Sequence, residues 1–186
     1  MLKQLRARVS GQRKIPYLRL ELALVNKTKI WSASKMLILL IILTGLMAGI
    51  YLAFSAVIIK SLNELPALQA AQAMNKINDV IVNTIFLPIF FGSTLWYAGL
   101  IVWSLADWQV GKSGLIMLAA LAYIIGMFLV TAFGNVPMNN KLKASESNEA
   151  LLMDYWNKYQ HSWTRLNHIR TLSCIASCAL LIASLV

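Results

Sequence analysis

The sequence predicts an all-α integral membrane protein, a four-helix bundle with both termini cytoplasmic and short amphipathic helices on the outer face. Three observations predict it. Of the 186 residues, 59% are hydrophobic and 13% charged, and mean hydropathy is +0.65. Several apolar runs reach the 18 or so residues that mark a spanning helix, which a soluble domain of this length would not carry. The net charge of +10 is local: nine of the seventeen Lys and Arg precede Met36, where Glu21 is the only acid. Basic residues beside a span stay on the cytoplasmic side, so that cluster orients the chain. The expected setting is a bacterial inner (plasma) membrane, crossed several times.

Residues 1–35 read as a basic cytoplasmic arm on anionic lipid, where each charge gains about 1 kcal/mol. Nucleic-acid binding is the alternative, but no aromatic interleaving or reader motif accompanies the charges, and none is expected. An organelle transit peptide is a further reading of an arginine-rich start. Residues 36–186 form one transmembrane domain. Its first helix, 36–59, is too long for a signal-peptide core. It carries Gly45-x-x-x-Gly49, continued by Ala53 and Ala56, a small-residue face that lets another helix approach closely in lipid. Packing within the bundle is the expected use, and a homo-oligomer through Gly45-x-x-x-Gly49 the alternative.

Outside the membrane, Pro66 can open a short helix on which Leu68, Ala71, Met74, Asn75 and Asn78 recur at helical spacing. The second span, 80–103, has Asn83 in its first turns and Pro88 deeper, predicting a kink near Thr84. A link holding Asp107 and Lys112 turns back into the third span, 114–133, whose Ala119, Ala122 and Gly126 form a small-residue face. That span should end at Gly134, with Val136 extended before Pro137 and Asn135 and Asn139 bracketing a rigid outer turn. A polar, mobile stretch follows over residues 141–148. Residues 150–161 are helical, with Tyr155, Trp156, Tyr159 and Trp163 suited to the interfacial aromatic belt.

The fourth span, 165–186, presents a problem of length. The apolar tail 172–186 has only 15 residues, whereas about 30 Å of hydrocarbon needs roughly 20. A full span counted back from Val186 therefore begins near Asn167 and draws Asn167, His168, Arg170 and Thr171 to the membrane surface or just below it. Polar groups at that depth are costly unless they face protein or water. Trp156, Trp163, Asn167, Arg170 and Cys174 follow one helical face, with His161, Arg165 and His168 on a neighbouring one. With Asn78, Asn83, Asn135 and Asn139 converging at the same end, the functional reading is an aromatic-walled pocket with hydrogen-bond donors at its floor. The plainer reading has these groups stitch helix ends to headgroups, with Arg170 snorkelling outward.

The two histidines, seven apart and about 10 Å along the axis, are too far apart to share one ion easily, and no metal is expected. Cys174 and Cys178 lie four apart on one helix and read as packing residues, a poor geometry for a disulfide. Phosphate loops, nucleophile elbows and dinucleotide fingerprints are absent.

Two motifs, Asn135-Val136-Pro137-Met138-Asn139 and Trp163-Thr164-x-x-Asn167-x-x-Arg170-Thr171, together with Met74-Asn75-Lys76-Ile77-Asn78 and Phe91-Gly92-x-Thr94, resemble the anthrone oxygenase-like family of small four-helix membrane proteins. The likeness covers about residues 39–186. It implies an oxidoreductase or monooxygenase acting on a small, hydrophobic, planar aromatic or polyketide-type substrate, with molecular oxygen as co-substrate and no resident cofactor. An optical spectrum would decide on haem or flavin. In that chemistry His168 is the expected base, with His161 the alternative. Arg170, Asn167 and Asn135 hold an oxyanion, Trp156 and Trp163 sandwich the ring, and Asn83 and Asn139 complete the substrate site. The competing class is a non-enzymatic protein that binds lipid or a quinone, or packs on a larger membrane complex.

Overall fold

The computed structural model describes residues 34–186, and the basic arm lies outside them apart from its last two residues. Two units divide the chain, residues 1–39 and 40–186. Residues 34–39 of the first are helical, and the second holds the bundle. No strand occurs among the described residues. Among the described residues, four helices are long and apolar enough to cross a membrane: α1 Ser34–Asn63, α3 Phe86–Ala106, α4 Lys112–Ala144 and α5 Glu149–Ala183. With α2, the amphipathic Ala67–Ile81, they make an all-α, multi-pass membrane protein.

Helix length explains the architecture. At 1.5 Å per residue the 35 residues of α5 reach about 52 Å, some 20 Å more than hydrocarbon needs. At 33 residues, α4 overshoots at the same end. There the projecting turns close over α2 into an apolar cap: Phe54 and Leu62 of α1, Ala71 and Met74 of α2, Leu142 of α4, and Trp156 and Tyr159 of α5 are all buried together. The Asn148 side chain caps α5 by accepting from the Leu151 amide at 3.2 Å, satisfying one of the amides left open at a helix start.

Three expectations change. The turn over residues 134–140 is helix, with Val136 at φ −63°, ψ −48°. A π-turn, Thr131–Asn135, immediately precedes Pro137, and the Val136 amide bonds the Thr131 carbonyl five residues back. That wider turn makes room for the proline ring, which in regular α-register would press on the carbonyl four residues earlier. The stretch expected to be mobile is accordingly helical to Ala144 and a turn only after it. Near Thr84 there is a break, not a kink. The chain leaves α2 at Ile81, turns, and starts α3 at Phe86, so Pro88 sits in a first turn, where its missing N–H costs nothing. Asn83 is exposed and closes the end of α2 by donating to the Asp79 carbonyl at 2.9 Å. Finally, Gly45 and Gly49 do not pack inside the bundle: both are exposed, with open space beside them.

The close helix approach lies elsewhere. A Cβ on Gly126 would run into the Ser173 side chain, and Ser177 donates to the Ala119 carbonyl at 2.9 Å, so α4 and α5 meet at the small-residue face of α4. In the bundle's middle Tyr97 bonds Thr44 (2.9 Å) and Ser177 (2.8 Å) and stacks on Tyr123 at 4.3 Å. Cys174 is buried and Cys178 partly so, and both are free thiols.

Candidate functional site

Below the cap, between α1, the end of α2, the start of α3, α4 and α5, lies a cavity of about 180 Å³. An engineered apolar cavity of roughly 150 Å³ takes up benzene, so this one encloses about one aromatic ring. Its walls are mostly apolar, with Phe54, Phe86, Phe90 and Trp163 among them. Its polar lining is Tyr51, Asn78, Thr131, Asn135, Asn139 and Arg170, drawn from α1, α2, α4 and α5, while α3 contributes apolar wall.

Arg170 is 5% exposed, and no ion pair with it occurs among the described residues. Its guanidinium lies 4.3 Å from the centre of the Tyr51 ring and 5.1 Å from that of Trp163, so two aromatic faces stand where a carboxylate would normally be. One terminal nitrogen donates to the Asn167 side-chain oxygen and the other to Thr131 Oγ1 at 3.4 Å, while Nε has no partner. Asn167, fully buried, is held in turn by donating to the Tyr51 carbonyl at 2.6 Å and to Ser55 Oγ. The π-turn Phe54–Ile58 takes in Ser55 itself, as the Thr131–Asn135 turn takes in Thr131 and Asn135. Both irregular turns therefore lie beside the guanidinium, and such bulges are frequent at functional sites.

A second polar relay closes the top. Asn139 Oδ1 accepts from Trp163 Nε1 at 2.9 Å and from the Tyr159 hydroxyl at 2.8 Å, and its Nδ2 donates to Asn78 Oδ1 at 3.1 Å. Asn135 donates to the Trp163 carbonyl at 3.3 Å. Among the buried atoms without a partner, three belong to residues lining this cavity: Arg170 Nε, Asn135 Oδ1 and Asn78 Nδ2. Unpaired buried polar atoms cost about 1–3 kcal/mol each.

Of the residues singled out in the sequence, Arg170, Trp163, Asn135 and Asn139 come together at this cavity, and Asn167 stands behind Arg170 as its support. Trp156 lies apart, buried in the cap and stacked on Tyr159 at 5.6 Å. Asn83 is exposed on the α2–α3 turn and does not line the cavity. His168 does not reach it either: at 100° per residue it lies about 160° around α5 from Arg170, exposed with His161 along a separate groove. The two faces are thus opposite rather than neighbouring, and no histidine or carboxylate lines the cavity. Sequence reasoning missed Tyr51 and Thr131, which sit inside apolar runs and carry no local signal. Asn78 was signalled by its place in the converging asparagines. No group of three or more His, Cys, Asp or Glu suited to a metal ion occurs among the described residues.

A family model described as anthrone oxygenase matches residues 80–180, more than half of the chain. The match takes in Thr131, Asn135, Asn139, Trp163, Asn167 and Arg170, and leaves out Tyr51, Ser55 and Asn78. No curated protein and no solved structure matches the chain.

Proposed function

The chain belongs to the anthrone oxygenase family, and on that premise we propose that the cavity under the cap takes in one edge of a planar, enolisable aromatic ketone of the anthrone type, the rest of the ring system lying in the cavity mouth, and that the substrate is oxidised there with molecular oxygen. The observation that carries this reading is Arg170, a buried guanidinium with two ring faces around it and no carboxylate partner among the described residues. Such a site favours an anion, and an anthrone becomes one when its acidic methylene ionises. Arg170 and Asn78 donate to the oxyanion, Asn135 accepts from a substrate hydroxyl, and Trp163 covers the ring. Donors fixed beforehand in a water-poor site are worth far more than in water.

The electron-rich enolate then passes electrons to oxygen, and the methylene carbon forms a bond to it. That carbon loses both hydrogens and keeps one oxygen atom as a new carbonyl, while the other oxygen atom leaves as water. The product is the quinone, and dioxygen is the oxidant. With no histidine or carboxylate in the lining, Arg170 acts by stabilising the ionised substrate, and the proton leaves to water at the cavity mouth. In this proposal the basic N-terminal arm is cytoplasmic, and the cap faces the opposite side of a bacterial inner membrane. We assign no resident cofactor.

That same lack of an acid–base group favours a second reading, a non-enzymatic site that holds a quinone or similar ring by its carbonyl. Oxygen uptake by purified protein with an anthrone as probe separates the two. Oxidation is expected to fall at least 100-fold in Arg170→Gln, as when an oxyanion donor is removed. Unchanged uptake in that variant would overturn the enzymatic reading, and ring binding without uptake by the parent protein would leave the second.

A further inference from the structure

The opposite face of α5 carries a site of its own. His161, Arg165 and His168 line a groove of about 500 Å³ whose other wall is the last turns of α1, with Leu52, Ala56 and Lys60. Among the described residues, no carboxylate lines it. Lys60 and Arg165 are exposed, and neither enters an ion pair among the described residues. Two cationic heads thus share a furrow lined by apolar Leu52, Ala56 and Ile59 and by neutral polar side chains such as Asn63, Gln160 and Thr164. Lys60 directly follows the apolar run 36–59, and Arg165 precedes the apolar stretch that begins at Leu172, so both lie at the polar end of a span. The charges therefore stand at headgroup level.

Towards the membrane interior a small-residue track runs along α1 from Ala56 at the groove's edge. Ala56, Ala53 and Gly49 follow one another at helical spacing, all exposed, with nothing within 4 Å of a Cβ placed on Gly49. The surface thus has the pattern of an amphiphile, two cations at the boundary and a smooth small-residue track below. A second copy of the chain is a poor occupant, because a two-fold contact sets the same patch on both sides and would oppose Lys60 and Arg165 to their own copies with no acid in the groove.

We propose that this groove seats one anionic phospholipid, its phosphate between Lys60 and Arg165 and an acyl chain laid over Ala56, Ala53 and Gly49. The site is independent of the cavity under the cap and does not rest on its chemistry. Each basic residue at headgroup level should contribute about a fivefold gain for an anionic over a zwitterionic headgroup.

The full-length protein, purified in detergent, would be titrated with phosphatidylglycerol, phosphatidylcholine or inorganic phosphate, and retained adducts counted by native mass spectrometry. One phosphatidylglycerol should be retained at least tenfold more readily than phosphatidylcholine, with inorganic phosphate a poor competitor. The Lys60→Gln/Arg165→Gln double variant should lose that preference, while Lys158→Gln, which removes a cation paired to Asp154 elsewhere on α5, should keep it. Equal retention of the two lipids by the parent protein would overturn the proposal whether or not the double variant folds. So would competition by inorganic phosphate at the same concentration as lipid, or a dimer that excludes the lipid.

Discussion

Trp163, Asn167 and Arg170 share one helix with His161, Arg165 and His168, yet the two sets occupy different media. The first set is buried against α1 and α4, and its polar atoms take named partners or ring faces, except Arg170 Nε, which has none. The second is exposed along a groove. Both contain an arginine and a hydrogen-bonding ring, and residue type does not tell them apart. The separation comes from 100° per residue together with the positions of the neighbouring helices. Arg170 has lost water and must be supported by protein, whereas Arg165 keeps water and can be lent to a ligand. Function that needs a dry, fixed charge belongs on the first face, and function that needs exchange with lipid on the second.

The most direct way to break the contrast is to remove the group that holds the buried guanidinium. Asn167→Leu takes away the acceptor from an Arg170 terminal nitrogen and the donor to the Tyr51 carbonyl and Ser55. Stranding a buried charge costs about 3–5 kcal/mol, so the detergent-solubilised variant should lose most of its cooperative thermal transition. A normal melt would mean that Arg170 finds water, and the dry face would be dry no longer.

Next in size is Asn139→Leu. It leaves the Tyr159 hydroxyl and the Trp163 indole N–H without their acceptor and frees Asn78 from α4. Two stranded donors at about 1–3 kcal/mol each predict a clear drop in thermal midpoint, and hydrogen exchange should speed up in α2 and in the first half of α5. Exchange that rises evenly over all helices would argue that the cap is not a unit joined through this residue.

Gly126→Val sharpens the comparison from the α4 side. A Cβ there meets the Ser173 side chain, and overpacking of this kind costs about 1–3 kcal/mol. Gly45→Ala, in open space, should stay within about 0.5 kcal/mol. If the two variants melted alike, the close approach of α4 and α5 would be wrong.

Much of this architecture is legible in the sequence, for reasons that differ by element. Four spans follow from apolar length, and α2 from the spacing of Ala71, Met74 and Asn75. Asn167 and Arg170, expected to need protein partners at the edge of the fourth span, are both buried. The Gly134–Asn140 stretch misleads because rules for glycine and proline assume α-register, and a π-turn removes the clash on which they rest. Tyr51 and Thr131 are invisible because nothing local distinguishes a ring or hydroxyl aimed at a cavity from one that merely fills a bundle. Trp156 reads as site and proves to be cap, since a helical face names the side of α5 but not how far along it a cavity extends.

The smallest expected effect is the most telling for the chemistry. His168 is the titratable ring nearest in sequence to Arg170, and a base there is the natural expectation. Its side chain leaves α5 about 160° from the guanidinium, is exposed, and is absent from the cavity lining. A proton cannot pass from a substrate against Arg170 to His168 without crossing the packed body of the helix. His168→Ala should therefore change oxidation of an anthrone probe less than about twofold and leave its pH profile unmoved, with His161→Ala behaving alike. A loss of about tenfold or more that free imidazole restored would show a histidine accepting the proton, and the buried face of α5 would then share its chemistry with the exposed one.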